Sequence, residues 1–412
     1  MNCKAMSGMM QKDLSYLSKL KGTGSEIKKT PWDFIVSEID LNGELYSANK
    51  QIEPKWTKKE EYVVFVMQKM NWTTAQALRE ITKKLDMGKK RFSCAGSKDR
   101  RATTTQLASI FGADPEEVKK VKIKDIEILG AWYWDQPIKM GDLLGNKFEL
   151  HIPSVEEDVD KVNEIYKELD GLLPNYFGEQ RFGMRENTHV VGKYILSGNF
   201  KDATIEYLIG GKETKNDGEE FKEVKELVER MEFKKALEIF PKYLRYERTL
   251  LAHLTEKSND YIGALRKLPR SILLMLIHAV QSEIFNLVLN QKIEEMDGKE
   301  MQIEEGEYEC SKNWYGFPEV GRIDGTFPVG KIIGYASKPN KREKKILEKE
   351  GIKTEDFRIK SMPEISSAGS YRPLLVPIKN FNFEYEKNLY EFELPSGAYA
   401  TIAMREFLDK KN

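Results

Sequence analysis

Hydrophobic and polar positions along this chain alternate between two periods, and the switches between them mark out its elements. Tyr62 to Met67 is an unbroken apolar run, the pattern of a strand buried on both faces. Directly after it Ala75, Leu78, Ile81 and Leu85 recur at helical spacing, with Thr73 and Gln76 as a capping-box pair and Gly88 as a stop. Phe34 and Val36, and later Phe148, Leu150 and Ile152, alternate with more polar residues, which predicts strands with one solvated face. A second helix is expected from Ser154, with Glu157 completing its cap, Val155, Val159, Val162, Ile165 and Leu169 facing inward, and Gly171 closing it. Leu273 to Leu289 reads as a strongly apolar helix whose His278, Gln281, Ser282 and Asn286 are satisfied interior groups. From about residue 199 the texture becomes Lys/Glu-rich and helical, and alternation returns at Phe381, Phe383 and Tyr385.

Composition adds bounds to this picture. At 412 residues the chain exceeds what one hydrophobic core usually supports, so two domains are expected. No apolar run approaches the roughly 20 residues that span a bilayer, and the Met-rich start lacks a signal-peptide apolar region. Together these predict a cytoplasmic protein without a membrane partner. Cys3, Cys94 and Cys310 are odd in number and far apart, and His151, His189, His253 and His278 show no ligand spacing; a disulfide framework and a metal site are both unexpected. Sixty-six basic residues balance sixty-six acidic ones, so any nucleic-acid surface must come from local segregation of charge.

That segregation is found at Ser93 to Gln106. A short apolar run, Phe92 to Ala95, suits a strand end, and Gly96 would permit a sharp exit. From residue 89 to 101 stand Lys89, Lys90, Arg91, Lys98, Arg100 and Arg101 against one acid, Asp99. Cations packed around a lone carboxylate favour its ionised form and can also hold the phosphates of a polyanion. From spacing alone, an Asp that caps a turn or pairs with Lys98 is the favoured reading over a catalytic one.

A longer pattern bears on that choice. Ala95, Gly96, Lys98, Asp99, Ala102, Thr105 and Gln106 resemble the central motif of the TruD family of tRNA pseudouridine synthases. Pro174-Asn175-Tyr176-Phe177-Gly178, with Gln180-Arg181-Phe182-Gly183, resembles its second signature. The segment Lys28 to Glu38 is similar to the family's first conserved stretch, with Trp32 in place of the usual Glu. Leu394 to Glu406 is similar to its closing one, with Tyr399 where Phe is usual, and Asn71 to Thr74 resembles its connection after the apolar strand.

The resemblance implies isomerisation of a uridine in tRNA to pseudouridine, without cofactor or metal, by a monomer. The uridine is flipped out, Asp99 assists glycosidic cleavage by attack at C1′ or removal of the C2′ proton, the base rotates, and C5 joins C1′. Lys28 would lie against the Asp99 carboxylate, Asn175 would brace it or the ribose, Phe177 and Tyr399 would stack on the base, and Lys89, Lys90, Arg91, Lys98, Arg100 and Arg101 would neutralise phosphates. The implied fold is α+β: a mixed, largely antiparallel sheet flanked by helices, formed by residues 1–198 and 373–412 and interrupted by an inserted α/β domain at 199–372. The reading from another class is a non-catalytic RNA-binding or tRNA-chaperone protein on the same fold.

Overall fold

The computed structural model describes residues 14–27, 30–55, 58–88, 91–155, 157–212, 218–296 and 300–409. In chain order its strands are β1 Phe34–Ile39, β2 Tyr62–Met70, β3 Phe92–Cys94, β4 Thr103–Phe111, β5 Ile126–Trp134, β6 Gly145–His151 and β7 Leu172–Pro174. There follow β8 Tyr308–Lys312, β9 Pro318–Ile323, β10 Phe327–Ile332, β11 Ser370–Pro373, β12 Leu375–Pro377, β13 Lys379–Glu384 and β14 Leu389–Pro395. They belong to two compact units. One comprises Asn175–Ser311 and Val320–Leu374, with the described residues up to Tyr16; the other comprises Leu17–Pro174, Lys312–Glu319 and Leu375–Asn412.

The second unit is built on an eight-stranded sheet in the order β13-β14-β6-β1-β4-β2-β5, with β3 added to β4. Only β1 and β4 run parallel; the other pairings in this sheet are antiparallel. The parallel ladder is short. It covers Ile35 to Ser37 against Thr103 to Thr105, after which the two strands part. Past that point the Glu38 carboxylate accepts the Leu107 N–H at 3.0 Å; at the last rung the Thr105 hydroxyl donates to the Tyr46 carbonyl. The Glu38 side chain thus satisfies a backbone group that the ladder abandons, as buried polar groups require.

Apolar side chains close this unit on several fronts. Val63, Phe65 and Met67 of β2 pack with Ala77, Leu78 and Ile81 of the helix Thr74–Lys84. Val64 and Val66, on the opposite face of the same strand, pack with Leu107, Leu129 and Trp132. A third cluster joins Phe148 and Leu150 of β6, Tyr390 and Phe392 of β14, and Met404 and Phe407 of the helix Ala400–Leu408. The helix expected from Ser154 begins instead at Asp158 and runs to Leu169, with no side-chain cap at Glu157. Asp158 explains the delay, because its own carboxylate accepts the Val155 N–H at 3.0 Å and stabilises the turn before the helix.

The first unit is mainly helical around the helix Arg270–Glu294, with a four-stranded sheet in the order β11-β10-β8-β9. By length and composition that helix could cross a bilayer, contrary to the expectation that no run is long enough. Yet 72% of its apolar window is buried, and Leu276, Ile277, Val280 and Ile284 form the centre of the unit's core. Of the expected polar groups on it, Gln281 donates to the Ile333 carbonyl at 2.6 Å and Ser282 to the His278 carbonyl at 2.7 Å. Composition changes at about residue 199, but the compact unit starts at Asn175. The helix Thr188–Leu196 accounts for the difference, because Val191 and Ile195 belong to this core. Gly192 permits the approach, since a Cβ there would lie 2.3 Å from the Leu276 carbonyl oxygen.

Candidate active site

Asp99 lies in the connection between β3 and β4, residues 95–102, and its side chain is partly buried. Four residues fix the main chain of this turn. The Gly141 N–H donates to the Ala95 carbonyl at 2.8 Å. Gln106 of β4 donates its amide N–H to the Gly96 carbonyl at 2.9 Å. The Lys98 N–H donates to the Thr74 hydroxyl at 3.0 Å, and that hydroxyl donates to the Gln106 amide oxygen at 2.8 Å. Lys69, near the end of β2, donates its ammonium to the Asp99 carbonyl at 2.8 Å and to the Lys98 carbonyl at 3.4 Å.

Gly96 has an ordinary φ and open space where a Cβ would stand. The expected conformational need for glycine is therefore absent, and the turn is held by Gln106 and Thr74 instead. Thr74 heads the helix that follows β2, and Thr73 is its cap.

Lys98 does not join the cationic surface expected of it. Its side chain is 5% exposed and its ammonium lies 2.6 Å from a carboxylate oxygen of Glu38, itself fully buried. Burial drives the Glu38 carboxyl above its ordinary range, and the Lys98 charge opposes that rise. The pair also sets direction. In register Glu38 faces Asn146 of β6, and Asn146 faces Leu394 of β14. Lys98 thus draws the Asp99 turn to the level of the sheet at which β14 ends and leads to Tyr399. That tyrosine is partly buried, and its carbonyl accepts the N–H groups of Ile402 and Ala403 at 3.1 Å, opening the last helix.

Of the remaining cations, Arg91, Arg100 and Arg101 are exposed, and Arg100 donates to the Asn71 carbonyl at 3.3 Å. Lys28, Lys89 and Lys90 lie outside the described residues. Trp32 is 60% exposed on the Thr30–Asp33 turn, where the Pro31 carbonyl accepts the Thr103 N–H at 2.9 Å.

Asn175 and Phe177 belong to the first unit, where both are buried. Asn175 donates its side-chain amide to the Pro373 carbonyl at 2.9 Å and accepts from the Arg372 guanidinium at 2.6 Å. The same guanidinium lies 4.1 Å from the centroid of the Phe177 ring. Asn286 of the core helix grips the Phe177 main chain at both ends, accepting its N–H and donating to its carbonyl, each at 2.9 Å.

Sequence reasoning passed over Lys69, Glu38, Thr74 and Arg372. Lys69 gave a signal, being the one cation inside a nine-residue strand of otherwise largely buried residues. Thr74 gave another, as a hydroxyl next to the cap it was not needed for.

Residues 12–407 match the family model described as tRNA pseudouridine synthase D (TruD). Among curated relatives, a Methanosarcina mazei protein named probable tRNA pseudouridine synthase D is 30% identical, over 95% of this chain and 95% of its own. An Archaeoglobus fulgidus protein of the same name is 33% identical, over 95% and 97%. A Methanocaldococcus jannaschii protein, named probable tRNA pseudouridine synthase D 1, is 34% identical, over 95% and 97%. The crystal structure of a Methanosarcina mazei protein described as the "putative tRNA pseudouridine synthase D (TruD)" superposes with a TM-score of 0.72 at 29% identity, covering 96% of this chain and 95% of that one. A fold of one large mixed sheet with an inserted helical unit, a motif turn built around Asp99, and a family match from residue 12 to residue 407 place this chain in the TruD family of tRNA pseudouridine synthases.

Proposed function

We propose that this chain converts a uridine of tRNA to pseudouridine, with Asp99 as the catalytic residue. The observation that carries the reading is the Asp99 turn: its main chain is bonded by Gly141, Gln106, Thr74 and Lys69, and its neighbour Lys98 is locked to Glu38. A carboxylate held this way can meet a reacting atom without first losing the freedom of its own backbone. The chemistry breaks the C1′–N1 bond, rotates the base, forms C1′–C5 and transfers the C5 proton away while N1 gains one. Atoms and electrons balance within the nucleotide, so the reaction calls for no cofactor. Attack of the carboxylate on C1′ and removal of the C2′ proton both need Asp99 ionised and aimed at the ribose.

The base must leave its stack to reach such a turn. Tyr399 supplies a ring face at the end of β14. The exposed Arg91, Arg100 and Arg101 are the described members of the basic stretch that remain for phosphate; Lys89 and Lys90 would extend the same surface, and Lys28 would pair with Asp99. The test is tritium release from transcripts carrying 5-tritiated uridine. Wild type should release it, and Asp99→Asn, nearly isosteric, should lower turnover by about 10⁴-fold while binding tRNA as before. Turnover within tenfold of wild type in Asp99→Asn would remove Asp99 from this role.

A further inference from the structure

Lys69 stands out against its own strand. Its side chain is completely buried, its cross-strand partners Thr104 and Ile126 are uncharged, and a Met would fill the same slot. An ammonium ion in the interior is costly to bury unless its charge and its N–H groups are met. Here the partners are the consecutive carbonyls of Lys98 and Asp99, at 3.4 and 2.8 Å.

Resting on the assignment of Asp99 as the catalytic residue, we propose that Lys69 is its positioning residue: it clamps the main chain of the turn from below and sets a positive charge beside the Asp99 carboxylate. Three observations support this. Both acceptors are main-chain atoms of the turn itself, so what the bond fixes is where Asp99 begins. The other cation in the turn, Lys98, is neutralised by Glu38 at 2.6 Å, which leaves Lys69 as the described buried cation whose charge is answered by Asp99. Burial pulls the Lys69 ammonium down to about 8, the Asp99 charge resists that fall, and Lys98 adds to it. The charged groups that face Lys69 among the described residues are therefore Asp99 and Lys98, with Glu38 behind Lys98.

The sign follows from these neighbours. Below about pH 8 Lys69 is charged and the turn is held; above it the ammonium loses a proton, one of its three donors and its attraction for Asp99. The experiment measures kcat and KM for tritium release on a tRNA transcript, at pH values on both sides of 8, for wild type, Lys69→Met and Lys69→Arg. Wild-type kcat should fall on the alkaline side with a midpoint near that value. Lys69→Met should lose about 10²-fold in kcat, as misplacement of a catalytic group does, with KM for tRNA little changed and the alkaline limb gone. Lys69→Arg, charged throughout, should recover part of the rate and also lack the limb.

A folded Lys69→Met enzyme with wild-type kcat, or one that keeps the same alkaline limb, would overturn the proposal. So would a wild-type profile flat through that region, which needs no variant to fold. If Asp99→Asn turns over normally, the assignment of Asp99 has failed. If Asp99→Asn is dead and Lys69→Met is fully active, only the role given to Lys69 has failed.

Discussion

The Asp99 turn and the Asn175–Phe177 segment are both long motif stretches, but the bonds described in them fall on different atoms. In the second segment the functional candidates are themselves tied. The Asn175 amide is engaged at both its oxygen and its nitrogen, and the Phe177 main chain is bonded in both directions by Asn286. In the turn the bonds fall on the main chain around Asp99 and on its neighbour Lys98, and the ties come from Lys69, Thr74, Gln106 and Glu38. One motif is a brace and the other a mount. The comparison separates a segment whose candidate residues are bonded within their own unit from a turn whose described bonds fall on its main chain and on Lys98.

The difference can be broken most severely at the mount. Lys98→Met leaves the buried Glu38 carboxylate without its cation, which should cost about 3–5 kcal/mol of stability at neutral pH. Burial already raises the Glu38 carboxyl above its ordinary value, and losing Lys98 raises it further. The cost is therefore present when Glu38 is ionised and should shrink as pH falls and the carboxyl takes up its proton. Urea denaturation of both proteins across acid to neutral pH checks this, and a cost independent of pH would show that the pair is not the source.

At the brace, Asn286→Ala strands a buried N–H and a buried carbonyl of Phe177. A loss of about 2 kcal/mol is expected in the same measurement. Turnover should decline in this variant only as far as tRNA affinity or the folded fraction does. A fall in kcat on fully folded, saturated enzyme would mean that the brace also takes part in the chemistry.

Removing the exposed cations Arg100 and Arg101 should shallow the dependence of log K on log salt by about one unit or less per charge. An unchanged slope in the double alanine variant would take them off the RNA surface. The smallest effect is expected at Tyr399. Tyr399→Phe keeps the ring and should hold turnover near wild type, whereas Tyr399→Leu should lose the roughly 1–3 kcal/mol that stacking provides. If Tyr399→Phe releases tritium a hundredfold more slowly while binding tRNA normally, the hydroxyl is doing chemistry.

Much of the mount was legible before any coordinates, and its limits are physical. The apolar run from Tyr62 predicted β2, but the pattern stopped at Met67 because Gln68 and Lys69 are polar, whereas the strand continues to Met70. Periodicity reports which face is buried. It cannot report that a lysine is buried because its acceptor is a carbonyl thirty residues further on. Lys98 was misread for the same reason: its partner Glu38 lies on a strand that sequence distance hides. Gly96 was given a conformational role that its ordinary φ does not need. The apolar stretch at Leu273 announced a core helix, and Asn286 on it announced a satisfied polar group, but not that the group satisfied was Phe177. Local pattern identified the elements, while the long-range polar contacts that aim the site were beyond it.

The order of strands in the large sheet has a consequence for how the enzyme comes into being. β6 is complete once His151 has been made, yet its neighbour β14 starts only at Leu389, after the whole inserted unit. At about 5–20 residues per second of synthesis, one edge of β6 waits on the order of tens of seconds for its partner. During that interval its open backbone groups, beside the apolar Phe148 and Leu150, are a template for another nascent chain. Production of this protein should accordingly be limited by aggregation on the ribosome before it is limited by the stability of the finished fold, and slower growth temperatures or a holding chaperone should raise the soluble yield.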